Sequence, residues 1–269
     1  MIATRPEELE ILREGGSRLA SAVLHELVKY VRPGLSTGEL DELALRLIRE
    51  TGGEPVFKGY RAEGRGRPYP AAICTSVNDE VVHAIPTQDR VLASGDVLGL
   101  DIGMRWPAGQ PSAASNQQPA GLITDMAVTV AVGKVSAEAE RLITVTREAL
   151  ERGIRAIRPG IALGNLGHAI QHHIETNGFS VVRDLVGHGV GRELHEEPYV
   201  PNYGTRGEGL LLREGMVRAV EPMATAGKPA VKLDPDGWTW RTQDGSLAAH
   251  FEHTVIVTQE GAEVLTKAK

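Results

Sequence analysis

A repeat constrains the fold of this chain more than any other feature. "VRPGLSTGELDELALRLIRETGG" begins at Val31, and "IRPGIALGNLGHAIQHHIETNGF" begins at Ile157, an offset of 126 residues. Aligned without gaps, they share Arg-Pro-Gly, a second glycine (Gly38 and Gly164), a leucine (Leu40 and Leu166), an isoleucine (Ile48 and Ile174) and a closing glycine (Gly52 and Gly178). A helical pattern precedes each copy. In the first, Leu9, Leu12, Leu19, Val23, Leu27 and Val28 recur at helical spacing, and Thr4 with Glu7 reads as a capping box around Pro6. In the second, the helix begins near Ser136. Arg-Pro-Gly stops each long helix, and Ser36 with Glu39 opens the next one in the first copy. Two helix–RPG–helix units with their own strands are expected to pack about a pseudo-twofold axis. We expect one domain over residues 1–269, with halves at roughly 6–125 and 126–269.

Short β-rich segments lie between and after the helix pairs: "AAICTSV", "VVHAI", "DVLGLDIGM", "DMAVTVAV", "MVRAVEPM" and "FEHTVIVT". Helices in pairs and strands in groups argue for an α+β fold with a largely antiparallel sheet. "RAEGRGRP" (61–68) and "RWPAGQPSAASNQQPAGLI" (105–123) read as inserted loops.

The chemistry is bounded first by what is missing. The one cysteine, Cys74, can form neither an internal disulfide nor a thiolate zinc site. A net charge of −6 argues against coating a phosphate backbone. The N-terminal stretch lacks the apolar core of a secretory signal, and no apolar run is long enough to cross a bilayer, so a soluble cytoplasmic protein is expected. The phosphate-binding loop G-x-x-x-x-G-K-[ST] and the zinc motif H-E-x-x-H are absent.

What remains are acids inside apolar strands: Asp101 in "VLGLDIGM", Asp125 in "DMAVTVAV", Glu221 in "VRAVEP" and Glu252 in "AAHFEHTVIV". A carboxylate in such a setting costs several kcal/mol to desolvate unless something neutralises it. One is ordinarily a buried ion pair. Four, with few cationic residues beside them, ask for a cation. With His188 of "GHGVGRELHEEP" they form a set of four carboxylates and one imidazole. That set suits Mn, Fe(II), Co or Zn ions. Five ligands with bridging carboxylates fit two ions about 3.5–4 Å apart, an arrangement that activates a water and polarises a carbonyl for hydrolysis.

The stretches "CTSVNDEVVHAIP", "GDVLGLDIG…TDMAVTVAVG", "GHGVGRELHEEP", "AVEPM" and "GWTWRTQDGSLAAHFEHTVIVT" fall in order along nearly the whole chain. Together they resemble the bacterial type I methionine aminopeptidases of the pita-bread metallopeptidase family. The resemblance implies two pseudo-symmetric αβ halves and a hydrolase that removes the initiator methionine from nascent proteins, preferring a small second residue. It implies two divalent ions held by Asp101, Asp125, His188, Glu221 and Glu252, with Asp125 and Glu252 bridging. Glu221 is also its acid/base group, and His83 and His195 contact the substrate amide. Phe57, Tyr60, Tyr69, Cys74 and Trp238 match the walls of the methionine pocket. The implied partner is a nascent N-terminus at the ribosome, met by a monomer in the cytoplasm without direct contact to nucleic acid or membrane.

This sequence departs from the family pattern in places. Its two aspartates are 24 residues apart instead of being joined by a short turn, and Leu194 stands where the family usually has Phe. The loop at 61–68 separates Tyr60 from Tyr69 and makes Tyr69 the less secure pocket residue. His25, His168, His172, His173 and His250 read as surface or helix-face residues, and His253 as pointing away from Glu252. Two other readings remain open here. One is a sister peptidase cutting before proline, and the other is a binding protein of the same fold that has lost its metals.

Overall fold

The computed structural model describes residues 1–61, 66–109 and 121–268, apart from the side chains of Ser21, Leu24 and His25. The parts of the two inserted stretches at 62–65 and 110–120, and the side chain of His25, therefore lie outside the described residues.

Four principal helices carry the repeat. Helix α1 (Pro6–Ser21) runs on through a π-helical segment, Ala22–Leu27, to Tyr30, and α2 spans Thr37–Glu50. Helices α3 (Ala137–Ala156) and α4 (Leu163–Thr176) follow. The ends of the second pair match those of the first at the same 126-residue offset: Tyr30 with Ala156, and Thr37–Glu50 with Leu163–Thr176. The connections match as well. Gly34 N–H donates to Leu92 O and Gly160 N–H to Leu212 O, both at 2.8 Å, and Ser36 bridges Val91 as Ala162 bridges Leu211. We propose that the two units descend from one duplicated segment. A division at 125/126 falls inside the strand Leu122–Ala131, so the edge of the repeat belongs after that strand.

Helix caps follow local chemistry. Ser36 Oγ accepts from Glu39 N–H at 3.2 Å while Glu39 Oε2 accepts from Ser36 N–H at 2.8 Å, a reciprocal box. The expected box of Thr4 and Glu7 does not form. Pro6 takes the first helical position, so Arg5 is the N-cap, and buried Glu8 accepts from the N–H groups of Thr4 and Arg5.

Among the described residues the main sheet has nine strands, and every pairing in it is antiparallel. Five neighbouring strands matter most: β1 (Val97–Trp106), β2 (Leu122–Ala131), β3 (Gly187–Gly189), β4 (Val217–Val220) and β5 (Glu252–Val257). They lie side by side in the order β1-β2-β5-β4-β3. Strand side chains alternate between faces. On β1, Leu98, Leu100, Ile102 and Met104 join the large apolar core, with Leu19, Leu40, Ile48, Leu142, Leu150, Ile170 and Ile174 from the four helices. Gly99, Asp101 and Gly103 take the other face.

The stretch 105–123 is not wholly a loop. Arg105 pairs with Ile123 and Trp106 with Leu122, because the β1–β2 ladder extends further than composition suggested. The residues flanking the stretch at 61–68 are tied together: Tyr69 N–H donates to Tyr60 O, and Gly59 N–H to Tyr69 O, both at 2.8 Å. Among the described residues, no helix is long and apolar enough to cross a membrane.

Candidate metal centre

Four of the five neighbouring strands carry one ligand-type side chain on the same face, and the residue directly after β4 supplies a fifth. Asp101 on β1 opposes Ala127 of β2, and Asp125 on β2 opposes Gly103 of β1. Glu252 on β5 opposes Ala127 from the other side, and His188 on β3 opposes Ala219 of β4. Glu221 directly follows β4, where the β4–β5 register, continued by one residue, sets it across from Glu252. The 24-residue separation of the aspartates is thus spanned by an antiparallel ladder that sets them on adjacent strands.

All five side chains are buried, from 2% exposed for Glu252 to 9% for Glu221. Ligand atoms of Asp125, His188 and Glu252 lie within 4.8 Å of one another. His188 Nδ1 is 2.8 Å from Gly189 O. A carbonyl only accepts, so Nδ1 carries the hydrogen and Nε2 presents its lone pair, 3.4 Å from Glu221 Oε1. Such backbone-fixed tautomers are typical of metal-binding imidazoles.

The electrostatics fit a cation. Burial first, then the charge of Glu221, pushes Asp101 well above the usual carboxylate range. Burial and then Asp101 do the same to Asp125, and burial with Asp125 raises both Glu221 and Glu252. Burial holds His188 well below an ordinary imidazole. Asp101 Oδ1, Asp125 Oδ1 and Glu252 Oε1 are buried with no hydrogen-bond partner among the described residues. Orphaned buried oxygens are rare and call for an explanation. Those of Asp125 and Glu252 belong to residues clustered with the lone-pair nitrogen of His188, a set that suits a hard or borderline divalent ion.

The glycines flanking His188 serve packing between strands, not approach to the site. A Cβ on Gly187 would collide with Ala219 O, and one on Gly189 would sit 2.9 Å from Glu196 O and 3.0 Å from Glu197 O. His195 is not among the metal-type ligands. Its Nδ1 is 2.7 Å from the Tyr60 hydroxyl and its ring centroid is 4.3 Å from that of His188. His195 is exposed, while the protein packed around part of it lowers its pKa. His83 lies close enough for its charge to depress His188, and takes a left-handed backbone (φ 60°). For a residue other than glycine that conformation costs on the order of 1 kcal/mol, a strain often found at functional sites.

The rings expected at the pocket form a connected aromatic cluster. Ring centroids are 6.4 Å apart for Phe57–Tyr69, 5.2 Å for Tyr69–Trp238 and 6.5 Å for Tyr60–Trp238. Tyr69 is fully part of it, buried with its hydroxyl 2.9 Å from Ala84 O. Cys74 opposes Asp101, and burial pushes its thiol up, so it packs as an unreactive apolar group. Leu194 is buried in the same cluster.

Some of the histidines fall differently from the sequence reading. His250 is buried on a strand (Ala248–His250), with Nε2 3.6 Å from Glu221 Oε2. His173 is buried too, its Nε2 2.9 Å from Glu148 Oε2. His168 and His172 do stack on an open helix face, and half-exposed His253 bonds Thr266 Oγ1 at 3.0 Å. Thr254, which the sequence did not mark, is bonded to the backbone of Asp125.

Five buried ligand-type groups on one face of a curled antiparallel sheet define a metal-dependent hydrolase, and comparison specifies which kind. Residues 12–259 match the model of metallopeptidase family M24, and the chain belongs to that family. It is 43% identical over 267 residues to methionine aminopeptidase 1 of Bacillus subtilis, covering 99% of each chain, and 39% identical over 265 residues to methionine aminopeptidase of Escherichia coli K12, covering 98% of this chain and 93% of that one. The structure superposes on a methionine aminopeptidase from Thermotoga maritima with a TM-score of 0.88 at 43% identity, covering 99% of this chain and all of the other. A prolidase from Pyrococcus horikoshii shares the fold at a TM-score of 0.74 and 20% identity. The pita-bread fold expected from the sequence is the fold observed.

Proposed function

We propose that this chain is a methionyl aminopeptidase that hydrolyses the initiator methionine from nascent chains and prefers a small second residue. The observation that carries the proposal is five buried ligand-type side chains, each on or directly after one of five adjacent strands, beside a cluster of aromatic rings. The relatives named methionine aminopeptidase support the substrate choice. The same reading makes the protein a cytoplasmic monomer acting at the ribosome, on chain ends rather than on nucleic acid or membrane.

In this reading Asp101, Asp125, His188, Glu221 and Glu252 would hold two divalent ions, from among Mn, Fe(II), Co and Zn. When bound, the ions supply Lewis acidity toward the scissile carbonyl and toward the attacking water. Phe57, Tyr60, Tyr69 and Trp238 hold the thioether side chain in an apolar slot with Cys74 behind them. Glu221 takes a proton from the attacking water and passes it to the leaving amine. His83 and His195 donate to the substrate amide and to the oxyanion that forms from its carbonyl.

Hydrolysis of Met-Ala-Ser by chelator-stripped protein tests this, with Mn, Fe(II), Co or Zn added back singly and Leu- and Pro-initial peptides as controls. Metal-dependent release of methionine alone is expected. Cleavage of an Xaa-Pro peptide in preference would transfer the chain to the proline-directed relatives, and failure to bind any metal would end the enzymatic reading.

A further inference from the structure

Glu221 is bracketed by two imidazoles. His188 Nε2 lies 3.4 Å from Oε1, and His250 Nε2 lies 3.6 Å from Oε2. The site as read so far uses the first and has no task for the second. Yet His250 is only 3% exposed, and its Nε2 has no hydrogen-bond partner among the described residues. A buried orphan nitrogen aimed at a carboxylate needs a reason.

The backbone around His250 is fixed from both sides. Its N–H donates to Thr129 Oγ1 at 2.9 Å, and its carbonyl accepts from the same hydroxyl at 2.6 Å. Thr129 lies on β2, on the face that carries Asp125. Across the next pairing His250 opposes Met223, two residues beyond Glu221. Phe251 N–H then bonds Pro222 O at 3.3 Å, so the chain passes around Glu221 before reaching Glu252. A neutral imidazole carries one N–H. A neutral donor can steer a carboxylate without adding a positive charge that would compete with a cation.

We infer that His250 is a positioning residue for Glu221. Its Nε2–H donates to Glu221 Oε2 and turns Oε1 toward His188 and the other ligands. A shift of a few tenths of an ångström brings the 3.6 Å separation within hydrogen-bond range. The inference rests on the metal-site reading above. It assigns His250 no contact with substrate.

The test compares His250→Gln, which keeps an N–H donor, with His250→Leu, which has similar bulk and no donor, and with His250→Asn, whose amide is too short to reach Oε2. Mn binding to chelator-stripped protein is measured by titration calorimetry, alongside kcat and KM on Met-Ala-Ser and the melting temperature. Leu and Asn are expected to weaken Mn binding and lower kcat by about 10- to 100-fold with KM little changed, as loss of outer partners of metal ligands does elsewhere. Gln is expected to recover both to within about fivefold. Wild-type Mn affinity in the Leu and Asn variants would overturn the inference, and so would a Gln variant as impaired as Leu. If Leu does not fold, the Asn and Gln pair decides alone. Wild-type protein that neither binds Mn nor releases methionine would bring down the proposed function itself, and this inference with it. Wild-type protein that does both, beside unaffected variants, would sink only the role of His250.

Discussion

Asp125 and Thr254 are tied to each other twice. The N–H of Asp125 donates to Thr254 Oγ1 and that hydroxyl donates to the carbonyl of Asp125, both at 2.8 Å. The register of β2 and β5 sets the two residues opposite each other, but the ladder ends one pair earlier, at Met126 and His253. A side-chain hydroxyl thus replaces the backbone rungs where the strands splay around the site. Thr254→Val keeps the shape and leaves a buried N–H and C=O unpaired, which costs about 1–3 kcal/mol. The melting temperature of the variant is expected to fall, and its Mn affinity to fall with it, because Asp125 loses its brace. A variant that loses stability and keeps full Mn affinity would show that the tie serves the strand and not the ligand.

The pH response of metal-stripped protein follows from the carboxylates. Asp101, Asp125, Glu221 and Glu252 are all raised in the folded protein, with burial the first cause. A carboxyl raised on folding holds its proton longer in the folded state than in the unfolded one. Its stabilising contribution is complete below the unfolded value, about 4, and is lost as pH rises through the folded value. Stripped protein is therefore expected to melt lower at pH 8 than at pH 5, and saturating Mn to raise the melting temperature more at pH 8. Equal metal-induced shifts at the two pH values would mean that the ion is not neutralising these groups.

The candidate ligands were legible in the sequence because a buried acid is costly wherever the fold puts it, so four acids in apolar strands stood out before any strand was placed. The paired helices were legible because their periodicity is local. His250 was not. "AAHFEHT" reads as one polar-flanked strand, and only the pairing of Ala248–His250 with Met223–Thr225, separate from β5, carries the ring inward. Thr254 was hidden for another reason: threonine in a β-run is ordinary, and its contact with Asp125 spans 129 positions of sequence. The helix start was misjudged by one residue because the pattern Thr4–Glu7 and the geometry set by Pro6 point to different caps, and the ring's fixed φ decides.

Tyr60 holds His195 through its hydroxyl, 2.7 Å from Nδ1, with ring centroids 5.1 Å apart. Tyr60→Phe keeps the ring and deletes that contact. A single hydrogen bond of about 1.4 kcal/mol corresponds to tenfold in rate, so kcat/KM on Met-Ala-Ser is expected to fall by about tenfold. Calorimetric Mn affinity is expected to stay at the wild-type value, since His195 is not placed among the ligands. A matching loss of Mn affinity would show that His195 supports the metal and not the substrate.

Gly103 faces Asp125 across the β1–β2 ladder, and the space beside it belongs to both the pocket and the site. An added Cβ would lie 2.7 Å from Val56 Cγ2, 2.8 Å from Phe57 Cε1 and 3.3 Å from Asp125 Oδ1. Gly103→Ala must push Phe57 along the pocket wall and crowd a ligand oxygen, an overpacking that costs about 1–3 kcal/mol. Higher KM together with weaker Mn binding is the expected outcome, because one methyl group presses on both. Gly99 supplies the control. It shares the face and the strand, yet its added Cβ would meet nothing closer than Ser76 at 3.6 Å, an ordinary contact. Gly99→Ala should leave KM and Mn affinity near wild type. If the two alanine variants behave alike, the cost comes from lost glycine backbone freedom in β1, and the close approach of Phe57 and Asp125 at Gly103 is not what the site depends on.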